Sequence, residues 1–284
     1  MICFPGVKIN IGLSVLNKRC DGFHNIQSIF YPVSTYTDCI EIIESDAFRF
    51  ETFGIPVTGN DTDNICYKAY EVLKKDYNLP NVAIRLLKRI PTGAGLGGGS
   101  SNASFTLKLL NDLFALNLSN KVLNYYAAKL GSDCPFFILN QPAYISGRGD
   151  VIEPVKLDLK GYYLTIINPG FPISTKQAYE NIHFSYKRVD FKSAIQQPVT
   201  LWKDLIWNDF EHYAFLIQPE LSVIKNSLYE AGALFASMTG SGSSVYAISD
   251  SKLEMPEQLN KFGFWQGKLG WKYFFEFLIL NFKF

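Results

Sequence analysis

The stretch Pro91-Thr92-Gly93-Ala94-Gly95-Leu96-Gly97-Gly98-Gly99-Ser100-Ser101-Asn102-Ala103-Ser104 constrains this chain more than any other. Five glycines lie between an alternating apolar run, 82–90, and a segment, 101–116, in which Ala103, Leu107, Leu110 and Phe114 recur at helical spacing. A strand that enters a helix through glycines builds a site for an anion. The glycines let the backbone approach closely and aim several N–H groups at one point. The helix adds its free N-terminal N–H groups and the positive end of its dipole. Pro91, Gly93, Gly95, Leu96, Gly97, Gly98, Gly99, Ser100, Ser101 and Asn102 are therefore the candidate phosphate-binding residues.

Two familiar phosphate loops fit badly. Gly93, Gly95 and Gly98 satisfy G-x-G-x-x-G, but a dinucleotide site also needs a carboxylate about 20 residues on, after a second strand. The nearest acid, Asp112, falls within the helical segment. A Walker loop needs Lys-Ser/Thr after its last glycine, and Gly99 is followed by Ser100. A second loop, Thr239-Gly240-Ser241-Gly242-Ser243-Ser244, again combines glycines with hydroxyls. It reads either as a hairpin turn or as a second cover over phosphates.

At 284 residues and a net charge of +1, the chain can bury a large core and has no general affinity for nucleic acid or acidic membranes. Its five cysteines lack C-x-x-C pairing, which argues against zinc and against a disulfide framework. Residues 1–12 lack the basic start and apolar core of a secretion signal, and the reading is cytoplasmic. The apolar tail 271–284 is too short to span a bilayer.

Val7, Ile9, Ile11, Leu13 and Val15 alternate as in a strand, so Lys8 and Asn10 point the same way from its other face. Asp21-Gly22 is a turn, and 39–53 reads as further strand. Asp61-Thr62-Asp63 can cap a helix with the stripe Ile65, Ala69, Val72 and Leu73. Ser119 caps another helix, which Gly131 stops, and Ser132-Asp133-Cys134-Pro135 starts a further turn. A hairpin follows near 144–152, then a strand at 162–167 and a more helical region to about 232. The pattern is α+β, with a boundary near 155–160 that divides the chain into 1–157 and 158–284. Lys8 is either a solvated surface lysine or a charge for chemistry. Asp133 is a helix cap, a base, or both. A Lys–Asp pair beside a glycine loop supplies two parts that phosphoryl transfer needs: charge neutralisation and a proton acceptor. No nucleophile–base signature supports hydrolysis.

The loop 91–104 resembles the phosphate-binding motif of the GHMP kinases, which include galactokinase and the homoserine, mevalonate and phosphomevalonate kinases. Pro5-Gly6-Val7-Lys8-Ile9-Asn10-Ile11-Gly12-Leu13 and the late loop 239–244 match in chain order. Asp21-Gly22-Phe23-His24, Gly131-Ser132-Asp133-Cys134-Pro135 and Asn208-Asp209-Phe210-Glu211 resemble the branch acting on a cytidine diphosphate alcohol, CDP-methylerythritol. The resemblance implies two halves, ribosomal-protein-S5-like and α/β-plait, with ATP, Mg²⁺ and substrate in the cleft between them. It implies Asp133 as base toward the substrate 2-hydroxyl and Lys8 as its partner and charge stabiliser. Asn10 would orient the acceptor, Asn64 would contact adenosine, and Ser101 would be the metal-side hydroxyl. His24 would bind the cytosine edge, with Phe23 and Tyr179 on the two faces of the base. Thr175, Gly240 and Ser241 would complete the pocket. The family often has Tyr where Phe23 stands, and the tail 271–284 is additional to its pattern. A monomer or weak homodimer is implied. The rivals are another alcohol kinase of the family, or a non-catalytic sensor on the same fold.

Overall fold

The computed structural model describes residues 1–57, 59–184 and 189–270, so the apolar tail 271–284 lies outside the described residues. After a two-residue strand β1 (Ile2–Cys3), the alternating segment forms β2 (Gly6–Lys18). β2 returns through the Asp21-Gly22 turn as β3 (His24–Thr37), antiparallel, with register shifts at Gly6/Val7, Ile11/Leu13 and Val15/Asn17. The middle shift contains Gly12 at φ +74°, where a Cβ would come within 2.6 Å of Ile206 and 2.8 Å of Phe191. Only glycine fits there, and the bulge re-aims the strand that carries Lys8 and Asn10.

The expected strand over 39–53 is two strands, β4 (Cys39–Glu44) and β5 (Arg49–Gly54). Polar Ser45-Asp46 interrupts the run. The two pieces flank the same neighbour, β6 (Val82–Lys88), β4 antiparallel and β5 parallel. Helix α1 (Ile65–Tyr77) is capped by Asn64, whose Oδ1 accepts from Cys66 N–H at 2.9 Å. Asp61–Asp63, read as the cap, instead winds into a short 3-10 turn just before it. Helix α2 (Gly98–Leu113) starts three residues earlier than the apolar period implies, on the glycines and serines themselves. Periodicity cannot see such a turn, because it carries no apolar side chains. Ser119 and Gly131 bound α3 (Asn120–Leu130) as expected. A short α4 (Cys134–Leu139) and the hairpin β7 (Ala143–Ser146) and β8 (Val151–Pro154) complete this half.

The rest of the chain forms β9 (Tyr163–Asn168), helices α5 (Thr175–Glu180), α6 (Phe191–Ala194), α7 (Trp202–Leu205), α8 (Phe210–Ile217) and α9 (Glu220–Glu230), then β10 (Phe235–Met238), β11 (Val245–Ser249) and β12 (Gly263–Lys268). Among the described residues three four-stranded sheets result, in the orders β1-β4-β6-β5, β2-β3-β7-β8 and β10-β11-β9-β12. β2 is buried on both faces. Leu13 and Val15 join one apolar core with Phe210 and Ala214, while Val7, Ile9 and Ile11 join another with Leu164, Ile166 and Tyr246. Lys8 and Asn10 are accordingly 3 % and 1 % exposed, which removes the solvated-lysine reading.

A buried ion pair fixes the strand that feeds the glycine loop. Asp38 Oδ2 meets the Lys88 ammonium, and Asp38 Oδ1 accepts the N–H groups of Arg89 (2.7 Å) and Ile90 (2.9 Å). Both side chains are almost fully buried. Asp38→Asn leaves a buried ammonium without its counter-charge. We expect a loss of about 3–5 kcal/mol of stability. Calorimetry should then show a thermal midpoint lower by roughly 5–15 °C. An unchanged midpoint would show that Lys88 is satisfied without Asp38.

Candidate active site

The bulged β2 places Lys8 at the floor of a cleft of about 1290 Å³ that runs past the glycine loop, Asp133, the loop 239–244 and the aromatic residues near His24. The Lys8 ammonium donates to Asn10 Oδ1 at 2.5 Å and to the Gly95 carbonyl at 3.1 Å. Its third N–H faces Asp133, whose Oδ2 is 3.7 Å away. Its charge also lies 4.5 Å from the centre of the Phe30 ring. Burial lowers the Lys8 pKa, and the Asp133 carboxylate works against that.

Asp133 directly precedes α4, but its side chain makes no capping bond. The capping role read from the sequence is not realised, and the carboxylate turns to Lys8 and the cleft instead. Its side chain is 32 % exposed against 4 % for Lys8, so it is open toward a ligand.

Asn10 is nearly saturated. Its Oδ1 receives Lys8 and lies 3.2 Å from the Thr239 hydroxyl, and its amide nitrogen donates to Ser28 Oγ at 2.9 Å. One amide N–H remains for a ligand. The phenol of Tyr246 donates to the Asn10 carbonyl at 2.8 Å.

The first loop crosses the cleft with Gly93, Gly95 and Gly97 at φ between +68° and +76°. A Cβ on Gly95 would lie 2.1 Å from the Thr239 carbonyl oxygen, so the two glycine loops touch where only a glycine can stand. The second loop is indeed a turn, joining β10 to β11, and it is also part of the cleft wall. Thr239 Oγ1 accepts from Asn10 N–H and lies 3.1 Å from the Gly95 carbonyl, and Ser244 N–H reaches the Ala94 carbonyl at 3.3 Å. Ser241 and Thr175 share a hydroxyl–hydroxyl bond of 2.8 Å.

At the far end His24 stacks on Tyr179, with ring centres 5.1 Å apart and an 18° interplanar angle. Phe23 is 54 % exposed and carries the Arg148 guanidinium 5.2 Å from its ring centre. Phe23 and Tyr179 thus both line the cleft, but Tyr179 lies against His24 here. Burial, followed by the nearby Lys18 charge, lowers the His24 pKa. Its neutral ring carries one donor and one acceptor.

Of the phosphate-loop residues, Gly93, Gly95, Gly97 and Ser100 line the cleft. Leu96 and Asn102 are buried, and the Leu96 carbonyl accepts Lys8 N–H at 3.0 Å. Ser101 is fully buried, and its hydroxyl has no hydrogen-bond partner. Asn64 caps α1 and does not line the cleft. Ser28, Phe30 and Tyr246 support the site without having been singled out. Their importance lies in strand register and in bonds between distant segments, which a single sequence does not display; Thr239, in the second loop, and Asn208, in the segment 208–211, support it too and did carry a signal.

Among the described residues no cluster of three or more His, Cys, Asp or Glu could hold a metal. A magnesium ion does not need one. It keeps several waters and takes phosphate oxygens and one or two protein oxygens. The Ser101 hydroxyl, orphaned at the start of α2, is a free oxygen of the kind such an ion takes, although Ser101 itself lies beneath the cleft lining rather than in it.

Residues 64–141 match the family model for the GHMP kinases N terminal domain, and residues 193–264 match GHMP kinases C terminal. The chain belongs to the GHMP kinase family. A 4-diphosphocytidyl-2-C-methyl-D-erythritol kinase from Bacteroides thetaiotaomicron is 47 % identical, over 90 % of this chain and 95 % of that protein. One of the same name from Parabacteroides distasonis is 45 % identical, over 95 % of this chain and all of its own length. A crystal structure of 4-(cytidine 5'-diphospho)-2C-methyl-D-erythritol kinase superimposes with a TM-score of 0.79 at 28 % identity, covering 94 % of this chain and 98 % of that one. Among the described residues no helix is long and apolar enough to cross a membrane.

Proposed function

We propose that this chain moves the γ-phosphoryl group of ATP to the 2-hydroxyl of CDP-methylerythritol, a step of the non-mevalonate isoprenoid pathway. The observation that carries the proposal is the Lys8–Asp133 pair, 3.7 Å apart, set between a phosphate loop and an aromatic pocket. Asp133 takes the proton of the 2-hydroxyl. The freed oxygen bonds to the γ-phosphorus as the bond to the bridging oxygen breaks, and ADP leaves. Lys8, pinned by Asn10 and Gly95, holds Asp133 and neutralises charge on the group in transfer. Asn10 offers its one free N–H to the acceptor.

The N–H groups of the loop 93–100 and the start of α2 bind the ATP phosphates. Ser101 would hold a magnesium ion, which when bound would supply positive charge to the phosphates. Asn64 contacts adenosine through its amide N–H groups, since its Oδ1 is committed to Cys66. His24 reads the cytosine edge, and Phe23 and Tyr179 close on the base from either side once Tyr179 leaves His24. Thr175, Gly240 and Ser241 complete that end. The halves 1–157 and 158–284 form the two sides of the cleft, in a cytoplasmic monomer or weak homodimer.

The test is ADP release from Mg·ATP with CDP-methylerythritol, mevalonate and homoserine in separate reactions. We expect turnover with the cytidine alcohol alone. Turnover with mevalonate or homoserine and none with the cytidine alcohol would replace this reading with another kinase of the family. ATP binding without turnover on any alcohol would favour a sensor.

A further inference from the structure

The segment Asn208-Asp209-Phe210-Glu211 contributes nothing to the cleft lining except Phe210, yet its three polar side chains are buried. Each holds a different piece of backbone. Asn208 donates its amide to two carbonyls of the second glycine loop's approach, Met238 and Gly240, both at 2.8 Å, while its Oδ1 accepts Phe210 N–H. Asp209 Oδ2 accepts Val15 N–H at 2.7 Å and the Ser14 hydroxyl at 2.9 Å, and its Oδ1 accepts the Trp207 indole at 2.7 Å. Glu211 Oε1 accepts Met238 N–H at 2.8 Å and the Ser237 hydroxyl, with Lys225 on its other oxygen. The main chain adds two bonds to β2, Leu13 N–H to Trp207 and Asp209 N–H to Leu13.

This short segment therefore grips both β2, which carries Lys8 and Asn10, and the loop 239–244. We propose that Asn208 is a positioning residue for the acceptor: it sets the Gly240–Ser241 backbone against Asn10 and Gly95. The inference rests on the reading of the cleft as a phosphoryl-transfer site. The geometry is specific to the donor amide. Gly240 stands at φ +61°, and a Cβ there would sit 3.4 Å from the Gly95 carbonyl and 3.6 Å from Asn10 Oδ1. The loop's own side chains tie Thr239 to Asn10 and Gly95, Ser241 to Thr175 and Ser243 to the Phe171 carbonyl, but none of them holds the Gly240 carbonyl, which Asn208 does. Asn208 makes two from below. Removing the amide donors leaves the buried Gly240 carbonyl unpaired and the Met238 carbonyl with only the Ser237 hydroxyl at 3.3 Å, and frees the turn to drift by the ångström or so that matters for transfer.

Two variants test this. Asn208→Asp keeps the shape and the bond to Phe210 but takes away both amide donors, and Asn208→Leu removes all polar function. For each, steady-state kinetics are measured with both substrates, and amide hydrogen exchange of 239–244 is measured without any substrate. We expect kcat/KM for the alcohol to fall about 10–100-fold, KM for ATP to stay within about twofold, and exchange in 239–244 to rise. Exchange that rises while both KM values and kcat hold would overturn the role in positioning. So would equal losses toward both substrates, or failure of both variants to fold, since each would make Asn208 a general prop. If the wild-type chain is silent on the alcohol, the functional reading fails instead, and the exchange result still decides whether Asn208 anchors the loop.

Discussion

Asp133→Asn is expected to lower turnover by about 10²–10⁴, the usual loss of a general base, while ATP binding persists. The structure explains why the two effects should separate. The phosphate loop is held by Thr239, Lys8 and its own glycines, and Asp133 makes no bond to it. Nor does its side chain cap α4, so the helix loses no capping bond in the variant. The substitution has a secondary consequence of definite sign. Asp133 raises the Lys8 pKa against burial, so removing its charge lowers that pKa further. The measurements are calorimetric titration with a non-hydrolysable ATP analogue and single-turnover kinetics. Wild-type turnover would take Asp133 out of the mechanism and leave positioning and charge neutralisation alone to carry the reaction.

Lys8→Met should cost kcat about 10²–10³, as the loss of one fixed cationic donor to a developing charge does elsewhere. Methionine approximates the length of the stem and can rest against Phe30, so the fold should hold. What vanishes is the charge, together with the bonds that tie Asn10 to Gly95. Of the two buried acceptors this leaves, Asn10 Oδ1 and the Gly95 carbonyl, the single Thr239 hydroxyl proton can serve one at a time. The pH dependence supplies a second readout. Burial lowers the Lys8 pKa from its ordinary 10.5, so the ammonium is lost at a lower pH than for an exposed lysine. Activity that needs the charged form therefore falls as the pH rises, and does so at a lower pH than the 10.5 of an ordinary lysine. That limb should be missing from the Lys8→Met profile. A wild-type profile flat through pH 10.5 would show that the charge of Lys8 is not what the reaction uses.

The local chemistry of the site was legible in the sequence because it depends on short-range rules. Glycines followed by serines before an apolar period specify a strand–loop–helix turn, and α2 begins there. Alternation along 7–15 put Lys8 and Asn10 on one side of a strand, and their side chains are 2.5 Å apart. Ser119 and Gly131 bounded a helix by capping chemistry alone. The order of these motifs along the chain was enough to resemble the GHMP kinases, and the comparisons place the chain in that family.

What the tertiary structure decided is which alternative each residue takes. Lys8 could have been a solvated lysine; burial of β2 on both faces, between two apolar cores, makes it a desolvated charge that must find partners. Asp133 could have capped α4; its rotation to Lys8 follows from packing that no local pattern encodes. The second glycine loop could have been an ordinary turn. Contact with Gly95 and anchorage by Asn208 make it part of the cleft wall. The split of 39–53 into two strands on opposite sides of β6 is of the same kind, since which strand pairs with which is settled by the whole sheet. The physical reason is common to all four. Local spacing fixes which way a side chain leaves its own backbone, but burial, partners and pKa depend on chain segments that lie as much as 236 residues away, as Tyr246 lies from Asn10.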